Sequence, residues 1–207
     1  MTTREKILTA ATELFIEHGF DKTTVRDICT AAGVNIAAIN YHFKGKQHLI
    51  ESIIDSIVKR RSEYRLKRLT ERTVNNEQEW RQVIIDFINS MVLDNVLGGK
   101  NDFILVRLFM SSLKNPPEFF DKIHRKYLEP LDRELIRYIK MGLPDDAPAS
   151  SAALWVMTII SQSLLFRQHQ NILNNLSEID FSRAENAEIV AEHIANTVFA
   201  GLSYQKD

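Results

Sequence analysis

One cysteine, Cys29, in 207 residues excludes both a disulfide framework and a zinc site built from cysteines. A reducing compartment suits such a chain. Seven Gly and five Pro are too few for many long loops, so long helices are the expected filling. Long apolar runs are missing as well. The most apolar stretch, Ala152 to Phe166, is broken by Thr158, Ser161, Gln162 and Ser163, which makes it too short and too polar to span a bilayer. Met1-Thr2-Thr3-Arg4-Glu5 has no signal-peptide apolar core. A cytoplasmic protein with no membrane partner is expected. No segment alternates with a period of two, and no repeat or low-complexity tract is visible. No GxSxG, Walker A, HExxH or GxGxxG motif is legible, and none of the six histidines lies four residues from another. We therefore expect no enzymatic activity, no cofactor and no metal.

What is present is an ordinary globular composition, 44% apolar and 26% charged, with a net charge of −1. The charge is unevenly placed. Residues 1–72 hold 13 Lys and Arg against 9 Asp and Glu, a balance of +4; residues 73–207 hold 13 against 18, a balance of −5. An N-terminal part that meets something anionic fits this asymmetry.

Helical periodicity runs nearly end to end. Ile7, Leu8, Ala11, Leu14 and Phe15 make one stripe, with Thr2 and Glu5 as a capping box and Gly19 as the stop. Thr24 with Asp27 opens a second helix that closes at Gly33. Asn35 caps a third, running to about His42. A fourth carries Leu49, Ile50, Ile53, Ile54, Ile57 and Val58. After a polar stretch, Asn75 with Gln78 starts another. Residues 102–113 read as a helix, and Asn115-Pro116-Pro117-Glu118 as the start of one reaching Gly142, kinked at Pro130. Residues 147–174 read as one long helix, and Ser182 with Glu185 caps the last. The expected fold is all-α, with about nine helices: a three-helix helix-turn-helix domain over 1–48, a connecting helix and linker over 49–74, and a helical ligand-binding and dimerisation domain over 75–207.

Three short helices within 45 residues, joined tightly at Ala32-Gly33-Val34-Asn35, describe a helix-turn-helix whose third helix is free to enter a major groove. That helix has no Arg or Lys. Asn40 can pair with adenine, and Ile36, Ala37 and Ala38 can pack on thymine methyls, so the core of a bound site is expected at A·T pairs. Phe15, Gly19-Phe20, Thr23-Thr24-Val25-Arg26-Asp27-Ile28, Ala32-Gly33-Val34, Ile39, Tyr41-His42-Phe43, Lys46 and Leu49, in that order, resemble the DNA-binding domain of TetR-type transcriptional regulators. Phe103 to Lys114 with Asn115-Pro116, then Tyr127-Leu128-Glu129-Pro130-Leu131 and Ser161 to Arg167, resemble the branch that includes CecR. The resemblance implies DNA contacts at Thr24, Arg26, Asn35, Ile36, Ala37, Asn40, Tyr41, His42 and Lys46. Thr24, Arg26, Tyr41, His42 and Lys46 would meet phosphates. Asn40 and Gly45 depart from the family's frequent Tyr and Ser.

Residues 152–166 and 189–202 are apolar nearly all round, which suits pairing of two chains about a two-fold axis through Trp155, Ile159, Phe166, Ile194 and Val198. Arg107, Phe109, His124, Tyr127, Gln162 and Arg167 are candidates for an effector site. The expected function is a homodimeric, ligand-responsive regulator, a repressor released from a pseudo-palindromic double-stranded DNA operator by a small-molecule inducer. The alternatives are a helical adaptor acting through a protein partner and an enzyme with a dispersed site. Lys59-Arg60-Arg61, with Arg65, Lys67, Arg68 and Arg72, forms the densest basic run, read either as a solvated face or as extra contact with the DNA backbone.

Overall fold

The structure, a computed structural model, describes residues 1–97, 118–181 and 183–204, with the side chains at 95–97, 167–168 and 170 outside the description. All regular structure among the described residues is helical: α1 (Thr3–His18), α2 (Val25–Ala32), α3 (Ile36–Phe43), α4 (Lys46–Thr70), α5 (Glu77–Leu97), α6 (Glu118–Ile123), α7 (Glu129–Lys140), α8 (Ser151–Gln168), α9 (Gln170–Leu176) and α10 (Ala187–Tyr204). A π-helical turn, His124–Leu128, joins α6 to α7, so counting 118–140 once gives nine helices among the described residues. The stretch 102–113, the start at Asn115-Pro116-Pro117 and the Ser182 cap lie outside them. Two compact units result. Residues 1–61 with 118–124 form one; residues 62–97, 125–181 and 183–204 form the other.

The first unit, the head, begins with the helix starts its sequence announces. Glu5 N–H donates to Thr2 Oγ1 at 3.2 Å while Thr2 N–H donates to Glu5 Oε2 at 2.7 Å. Thr24 and Asp27 repeat the arrangement, and Asn35 Oδ1 accepts from Ala38 N–H at 2.9 Å. Each side chain satisfies amide donors that a helix start leaves without partners. The head core is aliphatic: Ile7, Ala11 and Phe15 of α1, Ile28 and Cys29 of α2, Ile39 and Phe43 of α3, and Leu49, Ile50, Ile53, Ile54 and Ile57 of α4. Burial pushes the Cys29 thiol pKa up, away from reactive thiolate. Phe15, not Leu14, takes the inner place on α1.

In the second unit α5 packs on α8 and α10, and α8 also meets α7. Trp80, Phe87, Tyr138 and Phe199 join Ile84, Ile88, Leu135, Ile159, Ile194 and Val198 in one core. Trp80 Nε1 donates to the Tyr138 carbonyl at 2.7 Å, and the Tyr138 hydroxyl donates to the Leu69 carbonyl at 2.8 Å. These bonds give the polar tips of two buried aromatics their partners.

Three helix boundaries differ from expectation. The α5 cap is Asn76, one residue later than Asn75: Glu79 N–H donates to Asn76 Oδ1, and the Glu79 carboxylate reaches back to the Asn75 N–H at 2.8 Å. At Pro130 the helix widens before the proline. The Pro130 ring crowds the carbonyl four residues back, on Lys126, which lies inside the π turn. The stretch 147–174 is two helices, separated at His169, which leaves helical geometry (ψ 7°) while its N–H still donates to the Leu165 carbonyl at 3.3 Å.

Candidate nucleic-acid interface

The α3 helix sorts its residues cleanly. Ile39 and Phe43, one turn apart, are buried in the head core. Asn35, Ile36, Ala37, Asn40 and Tyr41 are exposed, and Ala38 is half-buried. Ile36 with Asn40, and Ala37 with Tyr41, are spaced four apart and so form one outward strip. Tyr41 is 84% exposed, its ring edge-on to His42 at 5.0 Å, with His42 half-buried. The joint before α3 turns on Gly33, in left-handed geometry at φ 65°. Behind α3 the chain takes two more positive-φ residues, Lys44 at 57° and Gly45 at 127°. The second of these values is one that side chains rarely adopt, so glycine at 45 answers a demand of the backbone.

Thr24, the cap of α2, and Arg26 in its first turn are both exposed. The Thr24 hydroxyl proton is committed: Oγ1 donates to Asp27 Oδ2 at 2.7 Å and accepts from the Asp27 N–H at 3.2 Å. Those bonds hold the Asp27 carboxyl pKa below the usual carboxylate range, the side-chain bond from Thr24 first and its backbone N–H second. Thr24 is therefore first a cap.

Lys46 departs furthest from what the sequence suggests. Its Nζ donates to the Phe20 carbonyl at 2.6 Å and to the Thr23 carbonyl at 2.9 Å, and lies 4.2 Å from the centre of the Phe20 ring. Thr23 itself is buried, its hydroxyl donating to the Gly19 carbonyl at 2.8 Å. The ammonium thus ties the loop between α1 and α2 to the first turn of α4. The loop carbonyls that attract Lys46 leave no trace in a residue pattern. Two cations not singled out from the sequence also border the head: exposed Lys44, at the end of α3, and Arg4, whose guanidinium carbon sits 5.2 Å above the Phe43 ring.

The basic run splits: Lys59, Arg60 and Lys67 are exposed, as a solvated face requires, while Arg65, Arg68 and Arg72 turn to α5. Asp86, Ser90 and Asp94 form one stripe of α5, spaced four apart. Arg65 pairs with Ser90 and Asp94, Arg72 with Asp86, and Arg68 lies 3.8 Å from Asp86. These arginines bind the end of α4 and the residues just after it to α5 within the second unit.

Of the effector candidates, Arg107, Phe109 and the Arg167 side chain lie outside the described residues. His124 is exposed, Tyr127 is buried and Gln162 is half-buried. The interface candidates need correction. Ile159, Ile194 and Val198 are 0%, 1% and 0% exposed within a single chain, because α5, α8 and α10 enclose them. Trp155 is half-buried against Gly201, and Phe166 packs on Phe181 at 5.7 Å. The apolar residues that α8 leaves open are Leu154, Met157 and Leu165. Among the described residues no helix is long and apolar enough to cross a membrane, and no three His, Cys, Asp or Glu side chains are placed to hold a metal ion.

Comparison with known proteins agrees with this arrangement. Residues 7–53 match the model of the bacterial regulatory proteins of the tetR family. Residues 80–202 match the C-terminal domain of the HTH-type transcriptional dual regulator CecR. CecR of Shigella flexneri is 27% identical over 172 residues, covering 79% of this chain and 75% of that protein. The probable HTH-type transcriptional regulator YttP of Bacillus subtilis is 44% identical over 54 residues, and there the chain spans 26% of the relative's length. The fold is shared with AibR, solved in complex with isovaleryl coenzyme A and operator DNA, at a TM-score of 0.67 and 16% identity over 96% of this chain and 98% of that one. The chain belongs to the TetR family of bacterial transcriptional regulators, in the branch with a CecR-type C-terminal domain.

Proposed function

We propose that the protein is a homodimeric repressor that holds a pseudo-palindromic double-stranded DNA operator and is released from it by a small-molecule effector. The observation that carries the DNA reading is α3. One side is locked into the head by Ile39 and Phe43, and the other offers Asn35, Ile36, Ala37, Asn40 and Tyr41 outward. A helix presented this way fits a major groove about 12 Å wide. Arg26, Tyr41, His42 and Lys44 contact the flanking phosphates. Thr24 and Lys46 act mainly behind them, fixing the start of α2 and its loop.

A second copy pairs through α8 and α10, covering Leu154, Met157 and Leu165 of α8 and Ile189 of α10, the exposed large aliphatic residues of those helices. Pairing sets two α3 helices about one helical turn of DNA apart, roughly 34–36 Å. The effector site belongs to the helical second domain, with Tyr127 and Gln162 among its walls. An effector that fits only one spacing of the heads shifts the population toward it, and a coupling of about 1–3 kcal/mol changes operator affinity by roughly 5–150-fold. The protein acts in the cytoplasm without a membrane partner.

Selection of bound duplexes from a random pool, with the full chain at moderate salt, tests this reading. An inverted repeat with half-sites about 10 base pairs apart is the expected product. A single unrepeated half-site rejects the dimer. Absence of any enrichment, also after the protein has been unfolded, stripped of bound small molecules and refolded, rejects DNA binding.

A further inference from the structure

The outward strip of α3 has an unusual chemistry for a surface meant to touch DNA. None of its five exposed residues is charged, and its largest aliphatic member, Ile36, is 46% exposed at the first position of the helix. Ile36 is not among the buried residues of the head core. The inner seam of α3 is already filled by Ile39 at 0% exposure and Phe43 at 4%. A β-branched residue adds nothing to helix propensity, and the first turn of a helix favours short polar or acidic side chains. The α3 cap is supplied by Asn35 alone.

We infer that Ile36, with Ala37 beside it, reads the 5-methyl group of thymine, which makes Ile36 a specificity-determining residue. This rests on the proposal above that α3 enters a major groove. The methyl is the one apolar feature of that groove, and only T·A pairs of unmodified DNA display it. Asn40 lies one turn on from Ile36 on the same strip, where its amide suits the N6 and N7 edge of adenine. An aliphatic group and an amide side by side match consecutive A·T pairs. The strip has no arginine or lysine, so it lacks the commonest reader of guanine. Ala37 carries only a methyl and lets the helix start lie close to the base edges.

Replacing thymine by uracil in the selected operator removes the methyl and leaves every hydrogen-bonding group in place. Substituting symmetric pairs of thymines one at a time, with affinity measured by fluorescence anisotropy, is expected to show one or two positions where the wild type loses about fourfold per methyl, or about 16-fold per symmetric pair. For Ile36→Ala the same substitutions are expected to cost less than twofold, because the reading group is gone. The variant keeps the fold, since Ile36 lies outside the core and alanine favours helix. Far-UV circular dichroism confirms that before binding is measured. A flat uracil scan on an enriched operator overturns the methyl reading and leaves DNA binding standing. So does a scan whose losses are identical in wild type and Ile36→Ala, which traces them to changed duplex mechanics. An operator whose half-site cores are all G·C overturns it as well. If no duplex is enriched at all, the groove-binding reading fails, and this inference with it.

Discussion

The head and the second unit hold their helices in different ways. In the head, three starts are fixed by bonds spanning three residues: Thr2 to Glu5, Thr24 to Asp27 and Asn35 to Ala38. The second unit relies on bonds between groups far apart in sequence. Trp80 reaches the backbone of Tyr138, the Tyr138 hydroxyl reaches Leu69, and arginines 65, 68 and 72 meet the acid stripe of α5. Local bonds suit a small module that must present one helix in one orientation. A core closed by distant contacts suits a body whose packing can respond to what it binds.

The contrast is most sharply broken at Trp80. Trp80→Ala removes a buried indole and one of the two donors to the Tyr138 carbonyl, leaving only the Met141 N–H, and should lower stability by about 3–5 kcal/mol in urea unfolding. Lys46→Met comes next. It takes the donor from two carbonyls of the α1–α2 loop and should cost about 1–3 kcal/mol in the DNA-free protein. A lysine kept only for phosphate would leave DNA-free unfolding unchanged. Lys46 is the exception within the head, bonded across 23 and 26 residues, so its effect measures how local that design is. Asn35→Ala should cost less, about 1 kcal/mol, since one cap is lost and α3 retains Ile39 and Phe43 in the core.

The same contrast explains which features were legible in the sequence. The caps at Thr2, Thr24 and Asn35, the turn at Gly33 and the two faces of α3 follow from residues within one or two turns of each other, and each could be read directly. The Lys46 clamp could not, since its acceptors are backbone carbonyls 23 and 26 residues away. The second unit hid more. A helix apolar nearly all round does not say which side meets its own chain, so Ile159, Ile194 and Val198 look as available to a partner as Leu154 and Met157 do. Only packing against α5 separates them. Arg65, Arg68 and Arg72 looked solvated or DNA-facing because their partners, Asp86 and Asp94, lie on another helix. The break at His169 is a change of backbone angle at one residue, which periodicity does not register.

The smallest expected effect sharpens the comparison by separating one local bond from everything else. The Asp27 carboxyl is exposed, but the Thr24 hydroxyl and the Thr24 N–H both donate to it, so its pKa lies lower in the folded head than in the unfolded chain. A carboxyl lowered on folding stabilises the native state fully above its unfolded pKa and loses that contribution as pH falls through the folded value. Asp27→Asn removes the titration and weakens the reach-back. The melting temperature of the variant should therefore fall slightly below that of the wild type at pH 7, and the gap should narrow progressively as the pH drops below the ordinary carboxylate range of about 4. Glu79, drawn down in the same way by the Asn75 N–H at the start of α5, supplies the matching test in the second unit. If both gaps close on acidification, the two units share their helix-start chemistry and differ only in what closes their cores. A gap that persists at low pH for Asp27→Asn but closes for the Glu79→Gln variant would assign the Thr24 box a packing role beyond its hydrogen bonds.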